Sequence, residues 1–582
     1  MKKIFVVIFL LFIGVFSQIG EAGLSNLAFW KNHVSSLVFT TAAQSIYASN
    51  CSGAVTIQNK NWMGVATNVG ANVTVNLSAT GSVTFYSDSF CTQTVTTTTI
   101  NSGSNSSTVY FISATTGSPV VTAAATNYSS ITQTETISTN PYVWTGGGGN
   151  ANWNTLANWS GGAAPGAGNL AVFDSTCASN CSPTVNVSIN VGGVRMASTY
   201  TGTITQGAAS TMTIGSSAWT QNGGAFLGGS SNMIFTGPFS LSGGSFTMTS
   251  AATSAKGSLW SVSSPAVFSS NSGSLSFGNT ATDITMSLVV GDEQYNNVTF
   301  GGGNNTFNLT GSMKVYGNLT FSPFDSWDMW VNGSTISAYG NVTATFRGSR
   351  GTALVRIAGN AAGQTLSSSS LYAALSKIEI DAGTNTVTLG TTVSTNNGFS
   401  VTSVGTLITA GSTLWITGTD ATVSAPGYTF NDLQFSVCTA RLNNATLTIG
   451  GNLTLANGCG CGNYIHSGTM NVHGNVTATA CDYRGSATLT FVGSGAQTMT
   501  GGEYRTWSTV GVAKPSGTLT FGSAVTWPGI SVTSGSLDMA GWPLTLTTLS
   551  LGGNTLTKGA GVLTVNGVVQ GTGSLFGGTI DP

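Results

Sequence analysis

Apolar residues alternate with Thr, Ser and Asn in short runs along most of this chain, and tight-turn residues separate the runs. The clearest stretch is 444–495, where Leu447, Ile449, Leu453 and Leu455, then Met470, Val472 and Val476, then Leu489 and Phe491 carry the apolar beat. Period-two alternation bounded by Gly, Asn and Ser predicts β-strands broken by tight turns.

The strands recur at a fixed interval. A Gly-Asn step at Asn452 returns at Asn475, 23 residues on, and the same step at Asn318 returns at Asn341, again after 23. Whole blocks also match. Asn318 maps to Asn452, Asn341 to Asn475 and Arg350-Gly351 to Arg484-Gly485, each shifted by 134. Gln364-Thr365 maps to Gln497-Thr498 with a shift of 133, and Ile378 to Val510 with a shift of 132. These anchors predict a duplicated unit covering 291–427 and 428–582. Its inner beat of about 19 to 23 residues is one coil of a parallel β-solenoid, with two or three short strands and their turns resting on the coil before. A looser version fills 175–290, with Met212-Thr213-Ile214, Met233-Ile234-Phe235, Phe246-Thr247-Met248 and Leu275-Ser276-Phe277. Roughly 440 residues at ~22 per coil predict about 20 coils, each ~4.8 Å high.

Two segments precede that solenoid. From 36 to 139 the strands are isolated: Leu37-Val38-Phe39, Val55-Thr56-Ile57, Val73–Leu77, Val83–Tyr86, Val109-Tyr110-Phe111 and Val120–Ala123. Six or seven short strands in about 100 residues predict a β-sandwich. Phe85-Tyr86-Ser87-Asp88-Ser89 before Cys91, and Gly117-Ser118-Pro119 before the last strand, make this part resemble the immunoglobulin-like modules of bacterial surface proteins. From 140 to 174 a passage holding Trp144, Trp153, Trp159 and Pro165 is too dense in Trp for solenoid coils. It resembles the passage that opens autotransporter-type and other secreted β-helix regions of bacteria. Large aromatics folded over the first coil would shield an unpaired strand edge; the alternative is a platform on which Trp faces stack against sugar rings. The fold class expected is therefore all-β, an N-terminal Ig-like β-sandwich followed by a long parallel β-helix.

Composition narrows the function. The chain of 582 residues has 16 basic and 17 acidic residues, a net charge of -1 and 78 Gly. Nucleic-acid binding needs a basic excess that is absent here. The outward faces must be built from Thr, Ser, Asn and Gly, which suits an exported repeat protein. Lys2 and Lys3 before an apolar run from Ile4 to Phe16, then Gly20-Glu21-Ala22, predict a signal peptide over 1–22 with cleavage after Ala22. The apolar run of 13 residues is shorter than the ~20 of a spanning helix, so no transmembrane segment is expected in the mature chain. Residues 23–35 carry no pattern.

Eight cysteines in an exported chain predict disulfides. Cys51 and Cys91 stand alone in the sandwich segment, and Cys177 and Cys181 are close enough to close a small loop. Cys438 and Cys459 lie 21 apart and Cys461 and Cys481 lie 20 apart, each about one coil, so stacked coils would bring each pair within bonding range. The rival is a zinc site drawn from Cys459, Cys461, His466, His473 and Cys481, whose spacing fits no standard finger. No cofactor is expected.

Catalysis on polysaccharides by a β-helix needs carboxylates gathered on one face, with each other or with Lys or Arg. The candidates are Asp325 with Asp328, Asp292 with Glu293, and Asp482 with Arg484, and none forms a recognised motif. The loop at 323–330 holds the first-choice binding residues, Phe324, Asp325, Trp327, Asp328 and Trp330. The duplicated unit places Cys459-Gly460-Cys461 there instead, and a loop that varies while its scaffold repeats is where solenoids present ligand-reading side chains. Over most of its length the chain resembles bacterial adhesin-like, haemagglutinin-like and β-strand-repeat proteins. That resemblance implies a non-enzymatic secreted or cell-surface protein attaching to a surface glycan or a cell-surface protein. A carbohydrate-active enzyme and a self-associating fibre subunit stacked through the solenoid end are the alternatives.

Overall fold

The computed structural model describes residues 35–89, 91–138, 142–279, 283–323, 329–345, 349–370, 372–437, 439–456, 463–479, 483–501, 510–571 and 574–576. The expected signal peptide over 1–22 and residues 23–34 lie outside them. The described chain is all-β, and its one short helical turn is Leu156–Asn158. It divides into two compact units, one formed mainly by residues before 144 and one by the rest.

In the first unit, strands Ser36–Phe39, Val55–Lys60, Ser106–Ser113, Val83–Tyr86 and Thr94–Val95 pair in that order as an antiparallel sheet. Ile131–Thr134, Val120–Ala124, Val73–Ala79 and Thr97–Ile100 form a second antiparallel sheet. Alternate side chains from both sheets meet in one core that includes Leu37, Ile57, Val75, Phe85, Ile100, Phe111 and Val121. Burial of alternate residues is what the sequence pattern demands of a sandwich. Cys51 and Cys91 are bonded, with 5.8 Å between their Cα atoms.

The second unit is a parallel β-solenoid of about 17 turns. From Ser274 to Ile357 each coil gives one strand to each of three faces. Thus Ser274–Phe277 pairs with Asn297–Gly302, Thr285–Val289 with Thr306–Thr310, and Gln294–Tyr295 with Met313–Val315, all parallel. Pairing partners lie one coil apart: Leu519 faces Leu537, 18 residues on, and Thr439 faces Tyr464, 25 residues on. The turns are fewer than the 20 expected.

Interior positions repeat vertically. Phe277, Phe300 and Phe321 stack with successive centroid separations of 5.5 Å, and Val298, Leu319 and Val342 fill the next inward row beside them. Like residues stacked along an axis exclude water continuously and leave each coil dependent on its neighbours.

The Gly-Asn step has a specific structural cause. The Asn318 N–H donates to Asn297 Oδ1 (2.8 Å), Asn341 N–H to Asn318 Oδ1 (3.3 Å), and Thr365 N–H to Asn341 Oδ1 (2.8 Å). The second copy of the duplicated block, over 428–582, repeats the ladder. Asn452 N–H donates to Asp432 Oδ1 (2.6 Å), Asn475 N–H to Asn452 Oδ1 (2.9 Å), and Thr498 N–H to Asn475 Oδ1 (2.8 Å). Each of these side-chain oxygens, carboxamide or, at Asp432, carboxylate, thus accepts a backbone N–H of the coil above, in a turn or at the start of a strand. The glycine in front of it is required by packing. A Cβ on Gly340 would sit 2.1 Å from the Gly317 carbonyl oxygen, and one on Gly474 would sit 2.3 Å from that of Gly451.

Candidate functional site: the outward faces of the solenoid

Of the five side chains expected to bind, Phe324, Asp325, Trp327 and Asp328 lie outside the described residues, and Trp330 is described. It is a strand residue, part of Met329–Gly333, rather than a loop residue. Met329 and Val331 on either side of it are buried, so alternation turns the Trp330 indole outward, where it is 40% exposed. In register it lies between Thr306 on the coil before and Arg350 on the coil after. Two residues along the same strand, Asn332 donates its side-chain N–H to Asn308 Oδ1 at 3.2 Å. The outward surface here is an aromatic plane beside amide, hydroxyl and guanidinium groups.

An adjoining face carries the charges. Lys314, Ser337, Arg356 and Glu379 follow one another in register. Lys314 Nζ meets Asp292 Oδ1 at 2.7 Å, and Arg356 Nε meets Glu379 Oε2 at 2.7 Å. The hydrogen bond and the charge of the partner hold the Lys314 pKa above, and the Asp292 carboxyl below, their ordinary values. Both groups are open to water, and their pairing is a link between coils.

An aromatic pair not expected from the sequence stands at the corner beside this face. Tyr316 and Tyr339 stack at 4.5 Å with ring planes 10° apart, and Tyr316 is 46% exposed. The signal was present, since the two tyrosines are 23 apart and each directly precedes a Gly-Asn step.

The other proposals divide. Trp144, Trp153 and Trp159 are buried around Phe173, with Trp144–Trp159 centroids at 5.1 Å and Trp153–Trp159 centroids at 4.8 Å. Trp159 Nε1–H donates to the Trp153 carbonyl, and Trp144 Nε1–H to that of Asn180. No indole face in this cluster is open to a sugar ring. Cys177 and Cys181 are bonded, with Cα atoms 5.7 Å apart. Cys438, Cys459, Cys461 and Cys481 all lie outside the described residues, and so do Asp482 and three of the five zinc candidates. His466 lies in the strand Asn463–Val472 and His473 just beyond it, with Ser467 and Gly468 at positive φ between them. Among the described residues no group of three or more His, Cys, Asp or Glu comes together to hold a metal ion. Also among the described residues, no helix is long and apolar enough to cross a membrane.

The described carboxylates share one character. Asp283 accepts from Asn304, Glu293 from the Gly291 N–H, Asp381 from Ser403, and Asp432 from Asn452. Asp420 pairs with Arg441 at 3.0 Å, and Asp538 accepts from the Ala540 N–H. In the sandwich, Asp88 binds Thr92 and Gln93, while buried Glu135 accepts from Gln44 and Gln133. Each of these carboxylates closes a turn or joins two segments of chain.

No family model matches this sequence, and no curated protein matches it. One solved structure aligns with part of it, a glycosyl hydrolase family 2 member from Bacteroides cellulosilyticus. The alignment has 17% identity, covers 18% of this chain and 14% of that one, and has a TM-score of 0.15. A likeness that partial carries no argument about either fold or activity.

Proposed function

We propose that this chain is a non-enzymatic secreted or cell-surface protein whose solenoid presents binding side chains for attachment to a surface glycan or a cell-surface protein. The observation that carries this reading is the employment of the described carboxylates as structural links. Acid–base chemistry on a polysaccharide needs a carboxylate free to exchange a proton with substrate, or two held a fixed distance apart across it. On the described faces the carboxylates are instead bonded to N–H groups of their own turn, or to N–H groups, hydroxyls and cations one coil away.

Attachment needs something different, namely a stiff polar surface with a few anchoring aromatics. Trp330 beside Thr306 and Arg350, and the Tyr316–Tyr339 pair, supply those anchors on a scaffold whose coils hold them rigidly. Export through the signal peptide at 1–22 belongs to this same reading, and the two disulfides are compatible with an oxidising compartment.

The test is adhesion of the purified chain to immobilised glycans and to cell surfaces, run beside a depolymerisation screen on polysaccharides. Trp330→Ala should reduce attachment at least tenfold and leave the thermal unfolding curve in place, with no polysaccharide cleaved by the parent chain. Cleavage that follows the protein through purification contradicts the reading, and so does undiminished attachment by a variant lacking both Trp330 and Trp327.

A further inference from the structure

The sandwich carries an apolar turn that the attachment reading does not use. After the strand Val55–Lys60 the chain doubles back over 61–65, and Lys60 bridges Ala66 in antiparallel register. On this turn Trp62, Met63 and Val65 are 60%, 63% and 56% exposed, and Ala66 beside them is exposed as well. Single apolar side chains scattered over a surface are ordinary, whereas a contiguous group of large ones marks a place of contact.

The backbone of the turn is suited to leaving water. Asn61 Oδ1 accepts from the Met63 and Val65 N–H groups, each at 3.0 Å. The Asn61 N–H donates to the Val65 carbonyl at 2.9 Å, and the Gly64 N–H to the Asn61 carbonyl at 2.8 Å. These four N–H groups have acceptors inside the turn, so an apolar medium strips no hydrogen bond from them, where an unbonded amide would resist entry. The same bonds fix the turn in advance and leave little ordering for a partner to impose. Charge decides which apolar medium fits. Lys60, at the base of the turn, is the only charged residue from 59 to 87. Asn59 N–H donates to the Asn105 carbonyl and Val69 N–H to that of Ser104, and neither 101–107 nor 125–130 carries a charge. No carboxylate in these segments repels a lipid phosphate, and a lysine stem keeps its ammonium at headgroup level while apolar neighbours go deeper. Trp is the side chain whose ring and N–H together suit the boundary between headgroups and acyl chains.

We infer that the turn at 61–65 inserts into the interface of a phospholipid bilayer, with Trp62, Met63 and Val65 below the headgroups and Lys60 among the phosphates. The inference is independent of the solenoid faces and goes beyond the attachment reading, giving the sandwich a lipid surface as its partner.

Co-sedimentation of the purified mature chain with vesicles of phosphatidylcholine and phosphatidylglycerol tests it. The chain should pellet with the vesicles. The double variant Trp62→Ser, Met63→Ser should partition at least tenfold less and keep the thermal unfolding curve in place, since both side chains are open to water. On vesicles with brominated acyl chains, tryptophan fluorescence of the parent should be quenched more than that of Trp62→Phe. Trp330→Ala should partition as the parent does. The inference is overturned if the parent stays in the supernatant, if the double variant pellets as the parent does, or if bromine quenches the parent and Trp62→Phe alike. Partition lost in Trp330→Ala but kept in the double variant would place the lipid contact on the solenoid and overturn it too.

Discussion

At the scale of single residues, the solenoid's economy lies in polar side chains that do backbone work. Gln497 is buried; its side-chain N–H groups donate to the Val472 and Gly474 carbonyls, and its Oε1 accepts from the Gly493 N–H and from Lys514 Nζ. Lys514, fully buried, also donates to the Gly493 and Gly495 carbonyls at 2.7 and 2.8 Å, so its three ammonium protons have three acceptors. Burial holds its pKa below the ordinary 10.5. A lysine whose pKa is lower folded than unfolded gives up its proton more readily in the native state. Stability therefore rises with pH between the lowered value and 10.5, by at most about 1.4 kcal/mol per pH unit. Urea midpoints measured across that window should climb more steeply for the parent chain than for Lys514→Met; identical slopes would show that the ammonium is not held out of water. The sequence marked Gln497 as a repeat anchor without revealing its task, because one copy of a carboxamide in a sequence does not show which carbonyls lie beneath it.

At the scale of the element, a coil is defined by its corner as much as by its strands. Gly317 and Gly340 sit one above the other where two strands meet at an angle, and the space between them is smaller than a methyl group. Gly340→Ala should destabilise the solenoid by about 1–3 kcal/mol, the usual cost of forcing atoms into a packed site. Hydrogen exchange should report the loss in the coils around 319–366 and leave the sandwich untouched, since each coil touches only its neighbours. Uniform protection throughout would contradict the corner's role. This level was the most legible in sequence: Gly-Asn steps and alternating Leu, Val and Phe gave strands, spacing and the duplicated unit. Thr94–Val95, Thr97–Ile100 and Ile131–Thr134 of the sandwich were passed over because Thr-rich runs with one inward apolar residue carry little periodic signal. The residues proposed to bind were legible only in part. Outward aromatics such as Trp330 and Tyr316 read like any other strand or turn residue until register places them beside Arg350 and Tyr339.

At the scale of the whole molecule, the chain joins a disulfide-closed sandwich to a long stack of coils. The corner ladders and the rows of outward side chains depend on residues a coil apart becoming neighbours. Ser276, Thr299, Thr320, Thr343 and Ser367 follow one another in unbroken register on one face, four steps covering 91 residues of sequence. At ~4.8 Å per step their ends stand about 19 Å apart. Pulsed electron–electron resonance between nitroxides placed at 276 and 367 through non-cysteine chemistry measures that separation directly. A narrow distribution centred near 20 Å is the predicted result, and a broad one, or one centred beyond about twice that distance, would contradict the stacked register.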